Sequence, residues 1–328
     1  MLKPYYRISL DISQAYTIIS GMITTHTARG LTWVDLESPT DEEIAGLVRR
    51  YGLHPLVGEE LKGSPSRAKV EFYKDYIMAV LTLPVRVKMD GTYNIVEREI
   101  DFVIGKDFLI TSRYETMEEL ANFAKILEAN SVLNKEGGPE HAGHLFYFMI
   151  MKLYAGMCDD IENIRDDLVA AEARIFKGDE RRMVEVLSGL SRELIDFRQT
   201  ARVHRDIWAD MLETEDKRLF GPGFDSYVRD LRDEFERIHE LIANSRELVT
   251  DLRETNDSLL DTKQNDIMRT LTIVTFIFYP ATFIASLFTI PAAFVPLVGS
   301  PNGWGAILLF MIAVTIGIWI YIKRRGWL

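Results

Sequence analysis

Cysteine, clustered histidine, a glycine-rich phosphate loop and, near the C-terminus, acidic residues are what this 328-residue sequence lacks. Its single cysteine, Cys158, excludes an intrachain disulfide and points to a reducing compartment. Among the six histidines, His141 and His144 lie three apart, but no further ligands follow at a spacing that would suit zinc. No Ser/His/Asp set and no nucleophilic cysteine context is present, so an enzyme is not expected. Met1 to Gln14 is polar and mixed, so no signal peptide is expected. Acids vanish from residues 267–328, which carry Arg269, Lys323, Arg324 and Arg325 for a net +4, leaving −15 on the other 266 residues. An acidic portion joined to a basic-edged hydrophobic tail argues against nucleic acid as a partner and for cations or basic proteins. Helix breakers are scarce too. His144 to Glu213 contains only Gly156, Gly178 and Gly189 and no proline, and Phe224 to Tyr279 contains neither residue.

What is present at the C-terminus is a pair of apolar stretches, 267–290 and 304–322, each close to the ~20 residues that a bilayer requires. Lys263 and Arg269 flank the first, Lys323-Arg324-Arg325 follow the second, and the loop between them is uncharged. The positive-inside rule then places both termini in the cytoplasm of a multi-pass protein of the inner (cell) membrane. Trp304, Trp319, Tyr321 and Trp327 are suited to anchor the spans at the interfaces.

Residues 1–115 read as an α/β domain, with strands expected at Tyr5–Leu10, Ala15–Ile19, Leu31–Asp35, Tyr76–Val85, Ile95–Ile104 and Phe108–Thr111. Thr40 followed by Glu43 forms a capping box ahead of the apolar face Ile44, Leu47, Val48 and Tyr51. Asp90-Gly91 marks a hairpin turn. A helical region, 116–222, follows, with Gly178 expected at a tight helix-to-helix turn and Gly221-Pro222-Gly223 as a break. A stalk helix then spans 223–290 and runs into the first membrane span; at ~1.5 Å per residue it approaches 100 Å. Residues 291–303 form the outer loop, 304–322 the second span and 323–328 a basic tail. The fold class expected is an α+β cytoplasmic domain with long stalk helices and two C-terminal transmembrane helices.

One stripe on the stalk helix carries the functional signal. Asn265, Met268, Thr272, Thr275, Tyr279, Thr282, Ser286 and Thr289 recur at steps of three and four, and seven of these eight can hydrogen-bond. The stripe one position on turns uniformly apolar within the membrane. A polar seam exposed to lipid costs several kcal/mol per unsatisfied group, so it must face another helix or water. The second alternative makes a pore.

Several segments resemble the CorA family of divalent-cation channels along nearly the whole chain. They are Thr32-Trp33-Val34-Asp35-Leu36, Tyr51-Gly52-Leu53-His54-Pro55-Leu56, Lys69-Val70-Glu71-Phe72-Tyr73-Lys74-Asp75-Tyr76, Tyr279-Pro280-Ala281-Thr282-Phe283-Ile284-Ala285 and the closing Lys323-Arg324-Arg325-Gly326-Trp327-Leu328. The resemblance implies a homopentameric funnel whose first span lines a central pore. It places Asn265 and Met268 at the cytoplasmic entrance, Leu271 at a hydrophobic constriction and Thr282 on the pore wall. It also implies regulatory cation sites involving Asp230, with Asp90 near the position of its partner carboxylate, and Glu254 lining the funnel. No cofactor is required; magnesium or another divalent cation is expected as cargo or regulator.

The chain departs from the family at the outer mouth. Where the family has Gly-Met-Asn, this sequence has Thr289-Ile290-Pro291, and the loop that follows contains no acid. Magnesium releases its water reluctantly, so a selective site needs an oxygen ring sized for the hydrated ion. Rings of hydroxyls are expected to serve hydrated ions of either sign and to discriminate poorly. The reading is a cation channel with weak magnesium selectivity. The alternative is a non-conducting membrane scaffold or sensor that retains the pentameric architecture.

Overall fold

The computed structural model describes residues 22–28, 30–63, 67–132, 139–213, 219–221, 223–289 and 303–324. The strands expected at Tyr5–Leu10 and Ala15–Ile19 lie outside these residues, as do Ile290 and Pro291. The described chain forms two compact units. The first comprises residues 1–172 and 186–250; the second comprises 173–185 and 251–328.

The first unit is built on a six-stranded sheet, β1 (Met22–Ala28), β2 (Leu31–Glu37), β3 (Lys69–Phe72), β4 (Tyr76–Met89), β5 (Thr92–Gly105) and β6 (Phe108–Arg113). Its strand order is β1-β2-β6-β5-β4-β3, with β2 and β6 parallel and the other neighbours antiparallel. The β4–β5 hairpin turns through Asp90 and Gly91, whose φ angles of 49° and 84° give the left-handed pair that matches strand twist. Two strands, β1 and β3, were not expected from the sequence, and among the described residues both lie at the ends of the strand order.

Helix α1 (Asp41–Tyr51) starts at the expected capping box. The Thr40 N–H donates to Glu43 Oε2 at 2.8 Å and the Glu43 N–H to Thr40 Oγ1 at 3.3 Å. It ends at Gly52 with φ 63°, a left-handed cap. With α2 (Pro55–Glu60) it covers one sheet face, burying Ile44, Leu47, Val57 and Leu61 against Val34, Met78, Val80 and Ile110. On the other face, α3 (Glu118–Val132) sets Phe123 edge-on to Trp33, and α4 (Ala142–Ile175) sets Phe146 edge-on to Phe102. Helices α5 (Glu180–Ala201) and α6 (His204–Glu213) follow.

Two polar networks, one wholly buried around His204 and one centred on the buried Arg86 guanidinium, hold this unit together. His204 is wholly buried; its Nε2 donates to the Thr82 carbonyl at 2.9 Å and its Nδ1 accepts from the Tyr154 hydroxyl at 2.8 Å. That hydroxyl in turn accepts from Trp208 Nε1 at 2.8 Å. Arg86, at the far end of β4, donates to Glu193 at 2.7 Å and Asp167 at 2.6 Å, while its backbone N–H donates to Asp160 at 2.8 Å. Every polar atom of those contacts has a partner, which is what burial demands.

The second unit contains the α4–α5 turn, the later part of α7 (Phe224–Leu287) and α8 (Gly303–Arg324). Gly178 occupies the turn with φ 97°, which a residue with a Cβ rarely adopts. Lys263 on α7 donates to Glu180 at 2.6 Å just after that turn.

Candidate functional site

Helix α7 has two faces with opposite fates. Val228, Leu231, Phe235, Ile238, Ile242, Ser245, Val249, Leu252 and Asn256, again at steps of three and four, are all buried. In the second unit the opposite face is exposed at every step. Asp251, Glu254, Ser258 and Asp261 lead into Asn265, Met268, Thr272, Thr275, Tyr279, Thr282, Ser286 and Thr289, and each is exposed. The polar seam read from the sequence is therefore the membrane half of a longer stripe. Its other half carries three carboxylates, of which the sequence reading singled out only Glu254. Periodicity alone extends the stripe to Asp251 and Asp261, a signal that the sequence reading did not follow beyond Asn265.

The hydroxyls of the seam are not free rotors. Thr272 donates its proton to the Met268 carbonyl at 2.7 Å, Thr275 to Leu271 at 2.9 Å and Thr282 to Phe278 at 3.0 Å. Ser286 donates to the Phe283 carbonyl at 2.8 Å and Thr289 to that of Ser286 at 2.7 Å. This is the back-bonding that Ser and Thr adopt inside helices, where water is scarce. A hydroxyl has one proton and two lone pairs, so each of these oxygens now presents acceptors alone. Within one chain these oxygens offer lone pairs, the groups that the outward hydrogens of a hydrated cation could meet.

Pro280 adds to the acceptor count. It has no N–H, so it withholds from the Phe276 carbonyl the donor that an uninterrupted helix would supply. Phe276 and Pro280, with Leu271, Thr272, Thr275 and Tyr279, line an open groove of ≈370 Å³ along α7. Leu271, the residue assigned to a constriction, is 57% exposed beside the seam.

The other singled-out residues are dispersed. Asp90 sits exposed at the tip of the β4–β5 hairpin. Asp230, exposed on α7, accepts from the Tyr147 hydroxyl at 2.5 Å, and burial followed by this bond pushes the phenol up to about 12. Glu254 is exposed on α7. Among the described residues, no three His, Cys, Asp or Glu side chains come together to hold a metal ion.

Helices α7 and α8 each contain an apolar stretch long enough to cross a membrane. A membrane protein with an α/β domain, a long helix and two C-terminal spans, one of them seamed with acceptors, is the architecture of a cation transporter rather than of an enzyme. Residues 28–324 match the model of the CorA-like Mg2+ transporter protein family, and the chain belongs to that family. It is 28% identical over 295 residues to the putative metal ion transporter YfjQ of Bacillus subtilis, covering 90% of this chain and 89% of that protein. It is 24% identical over 314 residues to the cobalt/magnesium transport protein CorA of Thermotoga maritima, covering 93% and 88%. The complete structure of the CorA magnesium transporter from Methanocaldococcus jannaschii superposes with a TM-score of 0.77 at 20% identity, covering 91% of this chain and 92% of that one.

Proposed function

We propose that five copies of this chain surround a common axis and conduct divalent cations, with magnesium and cobalt, named for the Thermotoga relative, as the first candidates. The observation that carries the reading is that polar residues recur at steps of three and four from Asp251 to Thr289 on one exposed side of α7. The back-bonded hydroxyls keep only lone pairs, and copies of the same stripe around water would give those lone pairs a partner that lipid does not. Asp251, Glu254 and Asp261 then concentrate cations ahead of Asn265 and Met268, and the hydroxyl oxygens accept from the water shell of the passing ion. Both termini face the cytoplasm and the protein resides in the cell membrane. Asp230, Asp90 and Glu254 would contribute to regulatory cation sites only with ligands from a second copy, because one chain brings too few together. The scaffold alternative finds no support in family membership.

Flux tests this directly. Purified protein in liposomes should admit magnesium or cobalt, read by an internal indicator dye. Replacing Thr275 and Thr282 by leucine should reduce the rate at least ~10-fold, since each lost polar contact to a hydrated ion is worth on the order of 1 kcal/mol. Flux equal to that of empty liposomes would refute transport, and unchanged flux in the variant would refute the assignment of the wall.

A further inference from the structure

The turn between α4 and α5 differs from the rest of the water-facing surface. Phe176 projects from it 66% exposed, more than any other large apolar side chain described outside the two apolar spans. Lys177, Arg181 and Arg182 around it are exposed as well. None of these three joins an ion pair among the described residues, whereas Arg174 is matched with Asp179, and Glu180 with Lys263. Segment 174–182 thus holds four cations against two anions, with the excess charge beside the aromatic ring.

The position of the turn gives this patch a meaning. It lies in the same compact unit as Asp251–Leu328. Lys263 Nζ is 2.6 Å from Glu180 Oε2 and 3.6 Å from the point where a Cβ on Gly178 would lie. On α7, Lys263 lies four residues, or about 6 Å of helix, before the apolar stretch that begins at residue 267. The headgroup layer on each side of a bilayer is roughly 5–8 Å deep, and a surface potential reaches about 8 Å further in physiological salt. An exposed ring among unmatched cations at that height is placed to meet headgroups, where aromatic rings and basic side chains both partition favourably.

We propose that the α4–α5 turn docks on anionic phospholipid. Phe176 rests at the headgroup boundary while Lys177, Arg181 and Arg182 pair with lipid phosphates. The contact fixes the turn, and through the Glu180–Lys263 ion pair it bears on α7 immediately before the span. The inference depends on the membrane spans and not on which ion is carried.

Photocrosslinking tests it in the full chain. Phe176 is replaced by p-benzoylphenylalanine and the protein is reconstituted in phosphatidylcholine vesicles with and without phosphatidylglycerol. Intact mass should show lipid adducts, enriched when phosphatidylglycerol is present. The combined Lys177→Gln, Arg181→Gln and Arg182→Gln variant should lose that enrichment by ~10-fold, and high salt should do the same without any substitution. An absence of lipid adducts, crosslinks to a second copy in their place, or a yield indifferent to phosphatidylglycerol, charge and salt would each overturn the proposal.

Discussion

Replacing Asp101 by asparagine should make the protein more stable, although it removes a charged residue type from a water-soluble domain. Asp101 lies on β5 in the row Lys69, Val80, Asp101, Ser112 across four strands, and it is only 2% exposed. Its Oδ1 has no hydrogen-bond partner. Burial, then repulsion from Glu99 and Glu60, pushes its carboxyl up to about 8, with Lys69 offsetting a part. In the unfolded chain the same group titrates at 3.8. Below that value both states hold the proton and stability is undiminished. As pH rises toward 8, only the folded state must keep it, and stability falls by about 1.4 kcal/mol per pH unit. At pH 7 the loss is about 4 kcal/mol. Asparagine has the shape of the neutral acid and takes up no proton, so it should recover most of this. Thermal unfolding of the detergent-solubilised full chain between pH 4 and 8 measures it. The variant should gain little near pH 4, and progressively more toward pH 8. A variant of equal or lower stability at pH 8, or a wild-type curve as flat as that of the variant, would refute the account.

Two further outcomes follow from the buried networks. His204 is held neutral by burial, its value lowered from 6.5 to about 4, so its contribution is complete above pH 6.5 and is lost as pH falls toward 4. That loss amounts to about 3 kcal/mol, visible as an acid-side slope that His204→Asn should flatten. The Arg86 guanidinium binds Glu193 and the half-exposed Asp167, and Arg86→Met should cost about 3 kcal/mol, chiefly by leaving the buried Glu193 carboxylate unmatched. Adding Glu193→Gln should return part of the loss in chemical denaturation; no recovery would mean that packing rather than charge matters there.

The sequence was legible where a signal is local or periodic. Thr40 and Glu43 fix the start of α1 within four residues, and Asp90-Gly91 fixes the hairpin because few other pairs adopt two positive φ angles. The seam from Asn265 to Thr289 was readable because a helix repeats its face every three or four residues. Strands β1 and β3 escaped because they are edges: Lys69–Phe72 is four residues long and half-buried throughout, too short for alternation to register. Other features depend on distant residues meeting. Nothing near Arg86 in the chain announces Asp160, Asp167 or Glu193, and nothing near Phe176 announces Lys263. The direction of the hydroxyl protons is likewise a property of the folded helix and not of the residue type.

Those proton directions have a consequence for the cell that would contain such a pore. A relay of protons along a channel wall works by each group passing on its own hydrogen and accepting the next. Thr272, Thr275, Thr282, Ser286 and Thr289 have already given theirs to the helix backbone. To join a relay, each would first have to break that bond, at about 1 kcal/mol apiece. A pore walled by these residues would therefore add no proton relay of its own to whatever water it encloses.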